Sequence, residues 1–322
     1  MPTTLIIGAG LAGLASARQL TRRGQAVIIL DKGRGVGGRL ATRRIEHARA
    51  DHGAQYFSAR TPDFQHLVQE MMQAGVVAEW RIATGETNPF GSQHPRYIGT
   101  QGMNGIAKYL ARDLTIIQNE RVVTLETSPA GGCLARTETG QTYTADRVIC
   151  TLPAPQVISL LHDSQFPLAA ADETALQTIH YQPCIAVMVL LNAPSRIPVP
   201  GGFRFGTDNP ISWVADNVQK GVSPGQPSVT IHAGAALSAA RFDSDLGELA
   251  HELIGQLANW IPADSVVSVQ THRWRYSLAD VRHPEPLLAV SGPFPLLLGG
   301  DGFGMGNVEG AFVSGLAMAN QR

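Results

Sequence analysis

A short apolar run, Leu5-Ile6-Ile7, stops at Gly8-Ala9-Gly10-Leu11-Ala12-Gly13 and resumes at helical spacing with Leu14, Ala17 and Leu20. Strand, glycine turn and helix in that order open a β-α-β unit of the kind that holds a dinucleotide. Gly8 makes the tight turn, Gly10 lets backbone N–H groups approach a pyrophosphate, and Gly13 lets helix and strand pack closely. The helix start at Leu11 and Ala12 aims its free N–H groups at the negative charge. A lone glycine motif is weak evidence, and the next residues strengthen it. After Gly24, the strand Ala26-Val27-Ile28-Ile29-Leu30 ends in Asp31, 18 residues past Gly13. A carboxylate there is placed to accept hydrogen bonds from adenosine ribose hydroxyls.

The 322 residues suffice for a large core and about two domains. With 16% charged residues and a net charge of −1, no long-range field draws the chain to nucleic acid or anionic lipid. A small-molecule partner is expected, and no metal site. Cys133, Cys150 and Cys184 form no CxxC and read as buried thiols in a reducing compartment. No positive charge precedes the apolar N-terminus, and no run approaches the roughly 20 residues of a membrane span. The expected compartment is the cytoplasm.

After Asp31 comes Lys32-Gly33-Arg34-Gly35-Val36-Gly37-Gly38-Arg39-Leu40-Ala41-Thr42-Arg43-Arg44, too rich in glycine for a helix. Its arginines supply donors for a pyrophosphate, with Arg39 the best placed. A GxGxxG turn, an acidic strand end and a Gly-Gly-Arg loop together resemble the FAD-binding half of the flavin amine oxidase and glutathione reductase-like superfamily. The resemblance implies that Lys32, Arg34, Gly38, Arg39 and Leu40 lie at the cofactor. It also implies that Asp51-His52-Gly53-Ala54-Gln55-Tyr56-Phe57 returns toward the flavin through Gln55, Tyr56 and Phe57. A polar turn before a helix is the plainer alternative for that segment.

Helical spacing of Phe64, Leu67, Val68, Met71 and Met72, with both methionines in the core, is followed by a strand-like stretch over 76–82 and a Gly/Pro/Asn-rich loop over 84–95. A helix is expected through Leu110, then alternating strands over 114–117, 121–125, 133–137 and 141–144, and an apolar strand over 145–150 stopped by Pro153. In the superfamily, Val122 or Val123 would touch the adenine, and Thr151 follows the strand that returns to the nucleotide domain. Strands near 184–191, 211–215, 229–232 and 266–274 and a helix over 246–260 read as an antiparallel sheet with helices. The expected fold class is α/β: a Rossmann-like FAD-binding domain (1–57, 98–155, 282–322) and a mixed α+β substrate domain (58–97, 156–281).

Near the C-terminus, Leu296-Leu297-Leu298-Gly299-Gly300-Asp301 leads through Gly302-Phe303-Gly304-Met305-Gly306 to Asn307-Val308-Glu309-Gly310-Ala311 and an apolar helix. This matches the superfamily's second flavin motif, which implies that Gly300, Asp301, Asn307, Val308 and Ala311 contact FAD. No cysteine lies in the loop, so the flavin is expected to be noncovalent. There is no second GxGxxG and no cysteine pair over 40–60, against a disulfide reductase.

The loop from Asp31 to Arg39, the segment from Asp51 to Phe57 and Arg273-Trp274-Arg275-Tyr276 resemble the renalase family, flavoenzymes that oxidise isomeric dihydronicotinamide dinucleotides. The implied reaction oxidises 1,2- or 1,6-dihydro-NAD(P), with O₂ as the final acceptor. His232, Trp274 and Tyr276 are the expected pocket residues, and Arg204, Arg275 or Arg241 the expected contact for a substrate phosphate. The chain has three lysines, Lys32, Lys108 and Lys220, read as loop, surface helix and Gly-flanked turn. None fits the strand lysine of many amine oxidases. The alternatives are an amine oxidase or desaturase acting on an apolar amine or polyene, and a flavin-binding redox sensor.

Overall fold

The computed structural model describes residues 3–80 and 95–321, so the expected strand beyond residue 80 and nearly all of the 84–95 loop lie outside the described residues. The chain forms two compact units, one of Met1–Gly38, Ala107–Tyr181 and Ala279–Arg322, the other of Arg39–Ile106 and Gln182–Leu278. Residues 39–57, 98–106, 156–181 and 279–281 therefore group differently from the division expected above.

The first unit is built on a six-stranded sheet in the order Leu287–Val290, Leu296–Gly299, Arg147–Cys150, Thr3–Ile7, Ala26–Asp31, Ile116–Gln118. All neighbours are parallel except the first pair. Parallel strands covered on both faces are apolar throughout, and Leu5, Ile6 and Ile7 are all buried. The helices Leu11–Arg22 and Asn307–Asn320 pack on each other, and an antiparallel sheet of Val122–Thr127, Cys133–Thr137 and Thr142–Ala145 fills the crossover to Arg147–Cys150. Burial lifts the Cys133 and Cys150 thiols to about 12.

The second unit holds an antiparallel sheet in the order Gly202–Arg204, Ile211–Asp216, Ser228–Ala233, His180–Leu191, Val266–Val281. Alternation divides its faces. Val187, Val189, Val229 and Ile231 pack against Leu249 and Leu253 of the helix Leu246–Gln256. Met188 and Leu190 face the other way, onto Ile45, Ala48 and Ala50. Those three belong to a hairpin, Thr42–Ile45 with Ala48–Asp51, that the glycine-rich loop had concealed in the sequence.

Two smaller expectations need correction. Met71 is fully buried but Met72 is 41% exposed, because the helix Pro62–Gln73 turns only its 64, 67, 68 and 71 face inward. Cys184 is half-buried rather than buried, although desolvation still lifts its thiol to about 12. Among the described residues no helix is long and apolar enough to cross a membrane, and no group of three or more His, Cys, Asp or Glu is placed to hold a metal ion.

Candidate active site

In the first unit the strand Thr3–Ile7 runs into Gly8, whose φ of +105° turns the chain. Thr151 closes on the turn, its hydroxyl donating to the carbonyls of Ile7 (3.0 Å) and Gly8 (3.3 Å). A Cβ at Gly13 would lie 2.0 Å from the Gly8 carbonyl oxygen, whereas one at Gly10 would meet nothing within 4 Å. Gly10 begins the helix Leu11–Arg22, which has no side-chain cap and no acidic residue in its first turn. The room beside Gly10, just before the helix start at Leu11 and Ala12, is what a diphosphate requires.

Asp31 ends its strand with Oδ2 accepting from the Ala9 N–H and Oδ1 from the Gly33 N–H, both at 2.6 Å. A carboxylate has about four lone-pair sites, so two remain for ribose hydroxyls. Gly38 lies beside Gly10, Lys32 and Arg34 are exposed, and Val122 is buried beside half-buried Val123.

The C-terminal motif builds a second helix start. Gly300, at φ +132°, donates its N–H to Ser314 Oγ at 2.8 Å, and Gly306, at φ +70°, begins the helix Asn307–Asn320 without a side-chain cap. Asn307 is exposed, and Asp301, Val308 and Ala311 are half-buried. A Cβ at Gly315 would sit 2.4 Å from the Ala12 carbonyl oxygen. That glycine lets the two helices pack at contact distance.

The second unit gathers a different group. Asp51, at the end of Ala48–Asp51, is fully buried and accepts at Oδ1 from Thr42 Oγ1 (2.6 Å) and the Met103 N–H (2.8 Å). At Oδ2 it meets Lys220 Nζ at 2.8 Å, with both side chains fully shielded from solvent. Three donors, two of them uncharged, thus converge on the Asp51 carboxylate. Burial lowers the Lys220 pKa while Asp51 opposes that shift. The Lys220 ammonium also reaches Gln55 Oε1 (3.3 Å) and lies 5.8 Å from the Trp80 ring centre.

Lys220 was not legible as a buried group. Its backbone sits in a turn set by Asp216, whose Oδ1 accepts from the N–H groups of Val218 (2.8 Å) and Gln219 (3.0 Å). The expected Gly-flanked turn is there, and it directs the ammonium inward, which the sequence did not show. The chain does hold one buried lysine, and it is committed to a carboxylate.

Gln55 carries its Nε2 hydrogens to the carbonyls of Asp51 (2.6 Å) and Gly53 (3.2 Å), and the same nitrogen lies 3.4 Å from His232 Nε2. Gly53 is required here, since a Cβ would lie 2.0 Å from the Arg39 carbonyl oxygen. His52 is stacked on Trp274 (centroids 5.3 Å, 18°) and meets His272 edge-on at 4.8 Å, while Trp274 Nε1 donates to the His52 carbonyl at 2.8 Å. His272, Trp274 and Tyr276 alternate along one strand and share a face. Arg39 donates from Nη1 to the Tyr276 carbonyl at 3.0 Å, and Leu40 is buried.

Burial, with His272, Arg43 and His232 nearby, lowers His52 to about 3. Burial and then Lys220 lower His232 to about 4. His272 is lowered by burial and by Arg43. The cluster is therefore a set of neutral imidazoles at pH 7.

Across the sheet, Arg204 pairs with Trp213 and Trp213 with His232, one register row over three strands. Directly opposed residues share a face, so exposed Arg204 stands about 10 Å from His232, two strand spacings away. Arg204 donates to the Tyr56 hydroxyl at 3.1 Å and has no acidic partner among the described residues. Arg275 meets Asp243 (3.6 Å), and Arg241 meets Glu248 (3.6 Å) and Glu252 (3.7 Å). Tyr56 sits with Trp80 and Trp213, and Phe57 is buried against Phe64 and Tyr97. Sequence reasoning named His232, Trp274, Gln55 and Arg204 but not Lys220, His52 or His272 as site residues, because only the folded sheet brings them together.

Comparison with known proteins completes the picture. A family model described as an NAD(P)-binding Rossmann-like domain matches residues 6–73, and one described as flavin containing amine oxidoreductase matches residues 75–321. Renalase of Mus musculus is 26% identical over 99% of this chain and 98% of its own. Putrescine oxidase of Kocuria rosea is 31% identical, but over only 38% of this chain and 24% of its own. A solved structure of putrescine oxidase bound to putrescine superposes with a TM-score of 0.72 at 17% identity, covering 99% of this chain and 98% of that one. The open cradle at Gly10, the two uncapped helix starts and the free acceptor capacity of Asp31 fit FAD. The chain belongs to the flavin containing amine oxidoreductase family and is an FAD-dependent oxidoreductase.

Proposed function

We propose that this enzyme is an oxidase of isomeric dihydronicotinamide dinucleotides, converting a 1,2- or 1,6-dihydro isomer, O₂ and a proton to NAD(P)⁺ and hydrogen peroxide. A bound FAD would supply the two-electron redox chemistry, with O₂ as the final electron acceptor. The reading is supported by the renalase resemblance along the whole chain. One observation carries it: among the described residues, the most deeply buried basic groups of the second unit's cluster are poor bases. Lys220 is committed to Asp51, and His52 and His232 bind protons only near pH 3 and 4.

A dihydropyridine needs no base. Its ring nitrogen expels the hydride and no proton leaves the substrate. An alkylammonium, in contrast, must shed a proton before its carbon can give up hydride, and an imidazole titrating near pH 4 is a poor acceptor for it. The residues' tasks are then to bind and orient. Neutral His232 sets no charge beside the carboxamide, Trp274 and Tyr276 offer faces to the nicotinamide ring, and Arg204 meets a phosphate. In the other unit, Gly8, Gly10, Gly13, Asp31, Thr151 and the helix starts at Leu11 and Asn307 hold a noncovalent FAD, with Val123 at the adenine.

The family model and the putrescine oxidase match favour a second reading, oxidation of an apolar amine. The aromatic group that would cage its cation is already faced by the chain's own cations, Arg96 over Tyr56 (5.2 Å) and Lys220 over Trp80 (5.8 Å). Anaerobic mixing of the yellow enzyme with borohydride-generated NADH isomers, ordinary NADH and a panel of amines separates the two. Bleaching by an isomer alone, with peroxide on admitting air, is expected. Bleaching by amines and not by isomers would overturn the proposal.

A further inference from the structure

Lys220 and Asp51 form a buried ion pair that no step of the proposed reaction uses. Such a pair is weak evidence for stability, since desolvation offsets most of its attraction. What it does locally is orient an amide. Gln55 presents Oε1 to the ammonium and Nε2 to two carbonyls. Reversing the carboxamide would set NH₂ against the ammonium and an oxygen 2.6 Å from the Asp51 carbonyl oxygen, so only one orientation is tolerable. In that orientation the amide's NH₂ edge stands 3.4 Å from His232 Nε2. An imidazolium would put a further N–H against this edge, within the field of the ammonium behind it.

We propose that Lys220 is a positioning residue for His232: through Gln55, the buried Lys220–Asp51 pair holds the ring in one orientation with Nε2 bare of hydrogen. The charged and titratable groups facing His232 are Lys220, from the turn after Ile211–Asp216, with Asp51 behind it, and His52, whose backbone takes a ring hydrogen bond. On the flanking strands its partners, Trp213 and Ala186, carry no charge. The consequence for recognition is chemical. A neutral ring sets no charge beside an uncharged carboxamide, and an imidazolium would. That last step rests on the proposed reading of His232 as a substrate contact, whereas the positioning role does not.

The test uses the holoenzyme labelled with ¹³C at histidine Cε1, its His232 signal assigned with a His232→Asn variant, and followed by NMR from about pH 8 to about pH 5. In the native enzyme His232 keeps neutral-imidazole shifts throughout. The double variant Asp51→Asn/Lys220→Met removes both charges together, so no lone buried charge remains, and its His232 signal moves toward imidazolium shifts at the acidic end. The acid limb of kcat/KM for the dihydro-isomer moves up in parallel. A His232 signal that stays neutral in the double variant overturns the proposal. A moved signal with an unmoved acid limb upholds the positioning role and removes His232 from the substrate site. Should the double variant not fold, Gln55→Met leaves the ion pair intact and is expected to split or broaden the His232 signal into more than one ring orientation. A single sharp signal there overturns the proposal.

Discussion

At the scale of the residue, the strictest constraints are steric and electrostatic. Gly13→Ala places a methyl 2.0 Å from a backbone oxygen that cannot move without opening the Gly8 turn. It is expected to cost a few kcal/mol, of the order of overpacking (~1–3 kcal/mol), and to yield colourless protein. Flavin content on purification and the thermal midpoint check both. Lys220→Met alone leaves the Asp51 carboxyl buried without its ammonium partner. Its expected destabilisation is about 3–5 kcal/mol, read by urea unfolding, and adding Asp51→Asn should recover much of it. The first of these sites was legible in the sequence, because glycine spacing encodes backbone geometry directly. The second was not: a lysine beside Gly221 reads only as part of a turn, and its carboxylate lies 169 residues away.

At the scale of the element, the helix Leu11–Arg22 separates folding from cofactor binding. Its first residue follows Gly10 at φ −74° and ψ 178°, a conformation open to any L-residue, and a Cβ there meets nothing. Gly10→Ala should therefore leave the apoprotein within about 1 kcal/mol of its original stability, since alanine is only a poorer cap. The added methyl occupies the room along the helix start, so FAD should bind at least about tenfold more weakly, roughly 1.4 kcal/mol. Apoprotein thermal midpoints and a fluorescence titration with FAD test the two halves separately, and equal affinity in the variant would place the diphosphate elsewhere. Periodicity made most strands and the main helices readable. The hairpin Thr42–Ile45 with Ala48–Asp51 was not, because its arginines and the preceding glycines mask the alternation, and it is apolar only where it meets Met188 and Leu190.

For the molecule as a whole, the neutral imidazoles tie stability to pH. His52 and His232 titrate near 3 and 4 when folded and near 6.5 when unfolded. Between these limits the unfolded chain binds protons that the native protein refuses, so ν(U) exceeds ν(N) and unfolding free energy rises with pH. The contribution is complete above about pH 6.5 and is lost as pH falls toward about 4. Each such histidine adds a slope of up to about 1.4 kcal/mol per pH unit well below pH 6.5, and His272 adds in the same direction. Few carboxylates titrate between pH 6.5 and 5, so histidines dominate that window. Urea unfolding across it should show stability falling with acidity, and His52→Asn should reduce the slope by about one proton's worth, because asparagine binds none in either state. An undiminished slope would mean that His52 protonates freely in the folded protein, and that the cluster is not the set of neutral rings on which the carboxamide reading depends.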